Sequence, residues 1–227
     1  MALVSYKHNF VFIKTHKTAS TSAEMFLEPF CAPPGHQVTM TSPPRESEYG
    51  IIGCRNIPFD TPPYWEGHAG ARKIRDGLPP EVWEACQKVS TTRNPFTRAV
   101  SKFFYRMSLG LLPKPQSDAD TVEAFRSFLA SDKFKSDYFR VHIKHAYVID
   151  RMIRYEHLGE DLETLARDLG LPLEMTSLPH ARNNQKARAG ATLEQLYDDA
   201  SAERVRQVDK WIFDHCGYSP DVKEAVL

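Results

Sequence analysis

Residues 10–22 read Phe-Val-Phe-Ile-Lys-Thr-His-Lys-Thr-Ala-Ser-Thr-Ser, an apolar run followed by a loop of small hydroxylated residues. The four uninterrupted apolar residues at its start are typical of a strand buried on both faces of a parallel sheet. Thr21 and Ser22 follow where hydroxyls and unpaired backbone N–H groups at a helix N-terminus would meet an anion. The stretch therefore predicts a strand, a phosphate-binding loop and a helix, and with them an α/β protein that binds a nucleotide-type ligand.

The loop around Lys17 differs from the common ATP-binding P-loop, which requires G-x-x-x-x-G-K-[ST] with lysine directly before the magnesium-binding hydroxyl residue. Residues 14–22 contain no glycine, and Lys17 precedes Thr21 by four positions. The segment instead resembles the 5′-phosphosulfate loop of sulfotransferases that use 3′-phosphoadenosine 5′-phosphosulfate (PAPS), especially carbohydrate enzymes of the heparan sulfate 2-O-sulfotransferase type. The resemblance implies that the donor is bound by Lys17, Thr18, Ala19, Ser20, Thr21 and Ser22. An ordinary strand-to-helix turn whose hydroxyls cap the helix is the alternative.

A second motif lies in residues 91–105, Thr-Thr-Arg-Asn-Pro-Phe-Thr-Arg-Ala-Val-Ser-Lys-Phe-Phe-Tyr. Asn94 followed by proline marks a helix start, and Arg98 and Ser101 are expected on one face of that helix. The segment resembles the 3′-phosphate motif of the same sulfotransferases, R-[DN]-P-x-x-R-x-x-S-x-[FY]. The resemblance implies that Arg93 and Ser101 bind the 3′-phosphate, the guanidinium through charge-assisted bonds. A surface helix with incidental arginines is the alternative, and the occurrence of both motifs in this order favours the sulfotransferase.

Length and pattern predict the fold class. At 227 residues and 41% hydrophobic, the chain can bury a substantial core and falls in the range of one α/β domain. We expect residues 1–227 to form a single sulfotransferase domain with a three-layer, P-loop-like α/β fold, in which helices flank a central parallel sheet. Further strands are predicted near residues 37–40, 49–54, 89–92 and 147–149. Helices are predicted near residues 67–75, 80–83, 122–130 and 161–169, the last closed by Gly170.

The charge balance and the cysteine content indicate which classes of partner and which cellular compartment to expect. Lys+Arg and Asp+Glu are equal at 29 each, so no net charge favours nucleic acid or an anionic membrane. The four cysteines lack CxxC spacing, which favours reduced thiols over a disulfide framework. No apolar run reaches transmembrane length, and the first strand begins too early to leave room for a signal peptide. We therefore expect a cytoplasmic protein, unlike the Golgi-anchored sulfotransferases it resembles; the Met1-Ala2-Leu3 start favours a bacterial relative over loss of an anchor.

Two later segments also resemble the family pattern. Residues 153–158, Ile-Arg-Tyr-Glu-His-Leu, resemble a strand ending Tyr-Glu-x-Leu, to which we assign a structural role. Residues 180–188, His-Ala-Arg-Asn-Asn-Gln-Lys-Ala-Arg, resemble the flexible loop that closes over the adenine and 3′-phosphate. The resemblance implies phosphate contacts from Lys186 and Arg188. A basic turn that is merely solvated is the alternative.

Sulfuryl transfer requires a bound donor, a stabilised leaving group and an activated acceptor hydroxyl. Lys17 would offset the charge that grows on the bridging oxygen, unless it only binds the ground-state phosphate. The hydroxyl must lose a proton, which histidine accepts best near neutral pH. Of the nine histidines, His68 lies where carbohydrate sulfotransferases of this type carry a catalytic base, and His16 is the main competitor. His142 and His145 have metal-like spacing but no acidic or cysteine partner nearby, so no metal is predicted.

The expected reaction transfers a sulfuryl group from PAPS to a hydroxyl and releases adenosine 3′,5′-bisphosphate (PAP) without a metal. A carbohydrate acceptor is favoured because the first loop matches that branch of sulfotransferases. Arg72, Lys73 and Arg75 could meet an anionic acceptor, although three such residues can equally form a solvated helix face.

Two other functional classes remain open. A magnesium-dependent kinase of P-loop type would explain the first loop, and residues 147–150, Tyr-Val-Ile-Asp, resemble a strand ending in a metal-binding aspartate. The absent glycines and the position of the lysine weigh against it. A non-catalytic nucleotide-binding protein would retain Arg93 and Ser101 without needing His68.

Overall fold

The structure is a computed structural model and describes residues 2–57, 65, 67–172 and 191–225. The chain divides into two compact units. The first unit contains the chain as far as Thr92 and resumes at Tyr138, and the second contains Arg93–Asp137 and the described C-terminal residues 191–225. Whether the two units form the single domain that the sequence predicts is not tested by this division, so the single domain stays a prediction.

The first unit is built on a mixed β-sheet. The strands of the described chain are β1 (Leu3–Ser5), β2 (Phe10–Ile13), β3 (Arg45–Ser47), β4 (Gly50–Ile52), β5 (Gln87–Thr92), β6 (His142–Ile143), β7 (Ala146–Tyr147) and β8 (Arg151–Arg154). Six of them form one sheet in the order β3-β4-β1-β2-β5-β8, and β6 pairs with β7 alone. β2, β5 and β8 are parallel, whereas β1, β3 and β4 are joined by antiparallel pairings.

The α/β class is confirmed, and the sheet, which was expected to be a central parallel one, is mixed, with β2, β5 and β8 as its parallel part. Residues 6–9 alone join β1 to β2, and residues 48 and 49 alone join β3 to β4. A parallel pairing needs a crossover of about a dozen residues or more, so connections this short force the two pairs to be antiparallel.

The strand β2 lies between β1 and β5 and is fully buried along its length, as its apolar sequence predicts. Phe10 and Phe12 pack in a cluster with Leu27, Ile52 and Leu162. The burial of β2 fixes the point at which the loop after Ile13 leaves the sheet.

The described chain contains ten α-helices. They are α1 (Ser20–Leu27), α2 (Ala71–Asp76), α3 (Pro80–Ala85), α4 (Pro95–Ser108), α5 (Asp118–Ala130), α6 (Tyr138–Val141), α7 (Leu158–Asp168), α8 (Leu193–Leu196), α9 (Asp199–Val208) and α10 (Lys210–Cys216). Six of them, α1 to α5 and α7, lie close to the predicted positions. α2 begins later than expected because Gly70 is an extended N-cap residue. α5 begins earlier because the Ser117 hydroxyl accepts from the Asp120 N–H at 3.1 Å. None of the described helices is long and apolar enough to cross a membrane.

Two predicted strands are wrong. Residues 37–40 contain no strand, and there the Thr39 carbonyl accepts from the Arg55 guanidinium at 2.6 and 3.1 Å instead of from a neighbouring strand. Residues 147–149 are not a buried sheet strand either, because the chain turns into the small β6–β7 hairpin before β8 pairs with β5. Buried aliphatic runs this short do not distinguish a sheet strand from a packed loop.

The second unit is helical. Phenylalanines from α4 and α5 form its core, including Phe96, Phe103, Phe125 and Phe128. Tyr197 closes this core and donates its hydroxyl to the Phe96 carbonyl at 2.9 Å.

Candidate functional site

The loop after β2 is held to β5 by a buried network of threonine hydroxyls. Thr15 Oγ1 donates to the Thr91 carbonyl at 2.5 Å and lies 2.9 Å from Thr18 Oγ1. Thr18 Oγ1 in turn lies 2.7 Å from Thr91 Oγ1. Ser20 Oγ donates to the Thr15 carbonyl at 2.7 Å, which closes the loop on itself. The conformation of the loop is therefore set by the protein before any ligand binds.

The backbone of this loop adopts left-handed conformations at two residues that are not glycine. Lys17 has φ 64° and Ala19 has φ 55°, and Ala19 is the N-cap of α1. Within α1, the amides of Ser22 and Ala23 donate to the Ala19 carbonyl at 2.9 and 3.2 Å. The preceding amides come before the first helical hydrogen bond, where an anion is a suitable partner. Each left-handed residue costs roughly 1–2 kcal/mol, a strain that typically accompanies a ligand-binding turn.

Replacing Ala19 with glycine is expected to stabilise the protein by about 0.5 kcal/mol, because glycine has no Cβ penalty at positive φ. Ala23→Gly within α1 is the matched control and should destabilise by about 1 kcal/mol or more. Chemical denaturation of both variants measures the difference. Equal destabilisation by the two substitutions would contradict the left-handed backbone at Ala19.

The structure distinguishes among the loop residues that the sequence predicted as donor ligands. The hydroxyls of Thr18 and Ser20 are buried and bond within the loop, so these side chains shape the site. Ala19 supplies only backbone. Lys17 and Thr21 are partly exposed, and Ser22 is buried in the first turn of α1.

A buried ionic network behind the loop was missed at the sequence level. Lys14, the residue after β2, donates from Nζ to Glu24 Oε2 of α1 at 2.6 Å. Arg55 lies 3.8 Å from Glu24 Oε1 through Nη1 and donates through Nη2 to Glu28 Oε2 at 2.5 Å. All four side chains are buried. The network joins both ends of the loop. Charged residues next to apolar ones in the sequence were the signal that could have predicted it, because buried charges are usually paired.

The sequence-predicted base His68 and its competitor His16 lie together. Their rings stack with centroids 3.8 Å apart and planes 19° apart. The pKa of His68 is lowered from 6.5 to about 2, mainly by burial and to a smaller extent by the neighbouring His16, Lys14 and Arg140. His68 Nδ1 is buried without a hydrogen-bond partner among the described residues. The imidazole of His68 is therefore neutral at neutral pH and retains a nitrogen lone pair.

The depressed pKa of His68 predicts a pH-dependent stability. Between about pH 6.5 and 2 the unfolded chain binds a proton at this residue that the folded chain does not, so the free energy of unfolding falls as the pH falls. His68→Gln should remove this contribution, which is at most about 1.4 kcal/mol per pH unit. Denaturation of both proteins at pH 6.5, 5.5 and 4.5 measures it. Identical slopes would mean that His68 is accessible to protons in the folded state.

In the second unit, the predicted helix start is confirmed. Asn94 Oδ1 accepts from the Phe96 N–H at 3.0 Å and the Thr97 N–H at 3.4 Å. Arg93 is buried before this cap and donates from Nε to Thr97 Oγ1 at 2.9 Å. Ser101 is partly exposed two turns further along α4.

Arg98 of the second motif makes ion pairs inside the second unit. It is fully buried, and it donates from Nη1 to Asp209 Oδ2 at 2.5 Å and from Nη2 to Asp137 Oδ2 at 2.6 Å. The guanidinium thus joins α4 to two distant segments of the second unit and stabilises its fold.

Lys186 and Arg188 lie outside the described residues. Among the described residues no group of three or more metal-ligating side chains occurs. His142 and His145 both bond to Tyr138, through its carbonyl at 2.9 Å and its hydroxyl at 3.4 Å respectively.

Comparison of the chain with protein-family models, with curated proteins and with solved structures gives no match.

Proposed function

We propose that this protein is a PAPS-dependent sulfotransferase with a three-layer, P-loop-like architecture that sulfates a hydroxyl of a carbohydrate. The observation that supports this most is the position of both motifs on neighbouring parallel strands. The strained loop follows the carboxyl end of β2, and Arg93 follows Thr92, the last residue of β5. Ligands of α/β proteins bind at the carboxyl ends of parallel strands.

In the proposed reaction, the acceptor oxygen attacks the sulfur of PAPS while the bond from sulfur to the bridging phosphate oxygen breaks. PAP leaves, and the acceptor proton passes to a histidine. Lys17 and the amides at the start of α1 bind the 5′-phosphosulfate, and Lys17 offsets the charge that develops on the bridging oxygen. Arg93 and Ser101 bind the 3′-phosphate.

We assign the base role to His68. Its neutral imidazole can accept a proton, and an anionic donor bound nearby would raise its pKa toward the working range. The ring of His16 stacks on His68 and holds its orientation, and His16 is also the alternative candidate for the base. Because His68 is buried, its pKa should respond strongly to a charged ligand that binds beside it.

The position of Asp150 weighs against the kinase alternative. Asp150 precedes β8 and accepts from the Lys88 N–H at 2.7 Å through Oδ2. It therefore lies at the amino end of that strand, opposite the edge at which the loop after β2 begins, whereas a metal-binding aspartate of this type follows the carboxyl end of its strand.

Incubation with ³⁵S-labelled PAPS and a panel of hydroxyl acceptors tests the proposal. We expect transfer of label that persists in EDTA, because the leaving group is neutralised by Lys17 and backbone amides without a metal. ATP in place of PAPS should not be consumed. Magnesium-dependent consumption of ATP, with no transfer from PAPS, would replace the proposal with the kinase.

A separate prediction concerns the 3′-phosphate residues. PAP should raise the melting temperature of the wild-type protein by linkage, and the double variant Arg93→Ala and Ser101→Ala should lose that shift. Each protein is compared with its own ligand-free melting temperature, which removes any direct effect on folding. Arg126→Ala, which changes a partly exposed arginine of α5, is the control and should retain the shift. A double variant that keeps the full shift would exclude this motif from the donor site.

A further inference from the structure

An ion pair lies directly behind the loop that follows β2. Lys14 Nζ donates to Glu24 Oε2 of α1 at 2.6 Å, and both side chains are buried. Lys14 is the first residue after β2, so its backbone belongs to the loop while its ammonium group is turned toward the helix. Lys14 also contributes to the lowered pKa of His68, so its charge lies near the proposed base. The pair thus holds a second lysine, besides Lys17, beside the loop.

The ammonium group of Lys14 lies about one helical turn from the start of α1. Ser20 is the first residue of α1 and Glu24 is the fifth, so both lie on one face of the helix. Ser20 Oγ donates to the Thr15 carbonyl at 2.7 Å, so this face meets the chain beside Lys14. One turn of helix spans about 5.4 Å. The flexible four-carbon stem of a lysine can carry Nζ over such a distance, to the amides where an anion would bind.

Arg55 is placed to bind the Glu24 carboxylate in place of the lysine. Its guanidinium is held by the Thr39 carbonyl, at 3.1 Å from Nε and 2.6 Å from Nη2, and by Glu28 Oε2, at 2.5 Å from Nη2. Nη1 is buried without a hydrogen-bond partner among the described residues, and it lies 3.8 Å from Glu24 Oε1. This distance need shorten by only about 1 Å to become a hydrogen bond. Because a buried donor without a hydrogen bond costs free energy, the closer contact would stabilise Arg55.

A single arginine can neutralise two buried carboxylates in this protein. Arg98 does so in the second unit, where it pairs with two aspartates at 2.5 and 2.6 Å. In the network behind the loop, Glu28 has a further partner, since His36 Nε2 lies 2.7 Å from Glu28 Oε1. The carboxylates of Glu24 and Glu28 would therefore stay compensated by Arg55 if the lysine moved away.

We propose that Lys14 is a second cation for the ligand of the loop. When an anion binds, the Lys14 ammonium group leaves Glu24 for the anion, and Arg55 Nη1 closes on Glu24 Oε1. The identity of the anion, the 5′-phosphosulfate of PAPS, rests on the proposed function, but the exchange itself is observable without catalysis. Moving a buried charge away from its partner is unfavourable unless the ligand supplies negative charge, so a neutral ligand should leave Lys14 on Glu24.

The first test compares crystal structures of the protein without ligand and with PAP. We expect the distance from Lys14 Nζ to Glu24 Oε2 to increase from 2.6 Å to beyond about 4 Å, the limit of an ion pair. Arg55 Nη1 should come within about 3.2 Å of Glu24 Oε1. Adenosine, which carries no phosphate, is the control ligand and should leave the ion pair unchanged. This measurement uses the unsubstituted protein, so it does not depend on the folding of a variant.

The second test measures the PAP affinity of variants by calorimetry. Lys14→Met should weaken binding about 10-fold, because a charge-assisted contact is lost. Glu24→Gln should strengthen binding about 3-fold or more, since Lys14 no longer has to leave a carboxylate. The gain should be absent when both substitutions are combined, because it requires the lysine. Lys88→Met, which removes a lysine near the amino end of β5, is the matched control and should bind PAP as the wild type does.

The outcomes separate this exchange from the reaction. Exchange in the PAP complex, without any sulfate transfer from PAPS, would support the role of Lys14 and contradict the proposed function. An ion pair that is unchanged in the PAP complex, or wild-type affinity in Lys14→Met, would overturn the role of Lys14 even where sulfate transfer is observed. If PAP does not bind, the same measurements are made with inorganic pyrophosphate. Exchange on pyrophosphate would then contradict the proposed function alone, and absence of binding by both anions would overturn the exchange too.

Discussion

Replacing His68 with alanine is expected to lower the turnover of sulfate transfer about 100-fold or more, because a positioned general base contributes at least that much. The affinity for PAP should remain nearly unchanged, since His68 acts on the acceptor and makes no proposed contact with the donor. Lys17→Ala should differ by reducing both turnover and PAP affinity, because its ammonium group contacts the phosphosulfate in the ground state and in the transition state. Steady-state transfer kinetics and calorimetry with PAP measure the two effects.

Controls for the His68 prediction come from neighbouring histidines. His8→Ala removes a partly buried histidine of the same unit that contacts Phe30, and it should retain full turnover. His16→Ala removes the stacking partner and should lower turnover less than His68→Ala if His68 is the base. Full turnover in His68→Ala would falsify the assignment, and a greater loss in His16→Ala would transfer the role to His16.

Arg98→Ala is expected to destabilise the protein by about 3–5 kcal/mol, enough to unfold much of it at moderate temperature. The substitution leaves the carboxylates of Asp137 and Asp209 buried without the guanidinium that neutralises both. Burial disfavours the charged guanidinium, but the two carboxylates outweigh it and raise the pKa of Arg98 above its usual value. Denaturant-induced unfolding followed by circular dichroism measures the loss.

Arg126→Ala is the matched control for this prediction. Arg126 pairs with Asp198 at 3.2 Å in the same unit and donates to the carbonyls of Gln195 and Leu196, each at 3.1 Å, but the side chains of the ion pair are both more than one third exposed. Such a pair contributes about 0–1 kcal/mol. If Arg98→Ala does not fold, Arg98→Lys, which keeps the charge but cannot form both bonds, should be destabilised to an intermediate degree. Equal stability of the wild type and Arg98→Ala would show that the buried ion pairs do not stabilise the fold.

Features that depend on residues close in sequence are the ones that the sequence predicts correctly. The burial of β2 followed from four apolar residues, and the start of α4 followed from Asn94 and the proline after it. Both features arise from interactions within a few residues, which sequence order displays directly. The resemblance to the 3′-phosphate motif, and not local pattern, proposed Arg93 and Ser101 as donor ligands, and this assignment stays a prediction.

Partners that come from distant parts of the chain were not visible in the sequence pattern. The helical spacing of Arg98 and Ser101 did not indicate that Arg98 would pair with Asp137 and Asp209, which lie 39 and 111 residues from it. A helical period places two residues on one face, but it does not reveal which buried carboxylates will meet that face. The sequence likewise did not indicate that Thr18 Oγ1 lies 2.7 Å from Thr91 Oγ1 or that Ser20 Oγ donates to the Thr15 carbonyl, and the assignment of both residues to the donor site stays a prediction.

The α/β class, the buried strand before the loop and the capped helix of the second motif are encoded locally, because local propensity and hydrophobic pattern act over short spans. The antiparallel part of the sheet, the neutralisation of Glu24 and Glu28 by Lys14 and Arg55 behind the loop, and the stacking of His16 on His68 are seen only in the folded chain. These features arise from contacts between segments that are distant in sequence. Such contacts depend on how the whole core packs, because a buried charge or imidazole is stable only where the folded chain provides suitable neighbours.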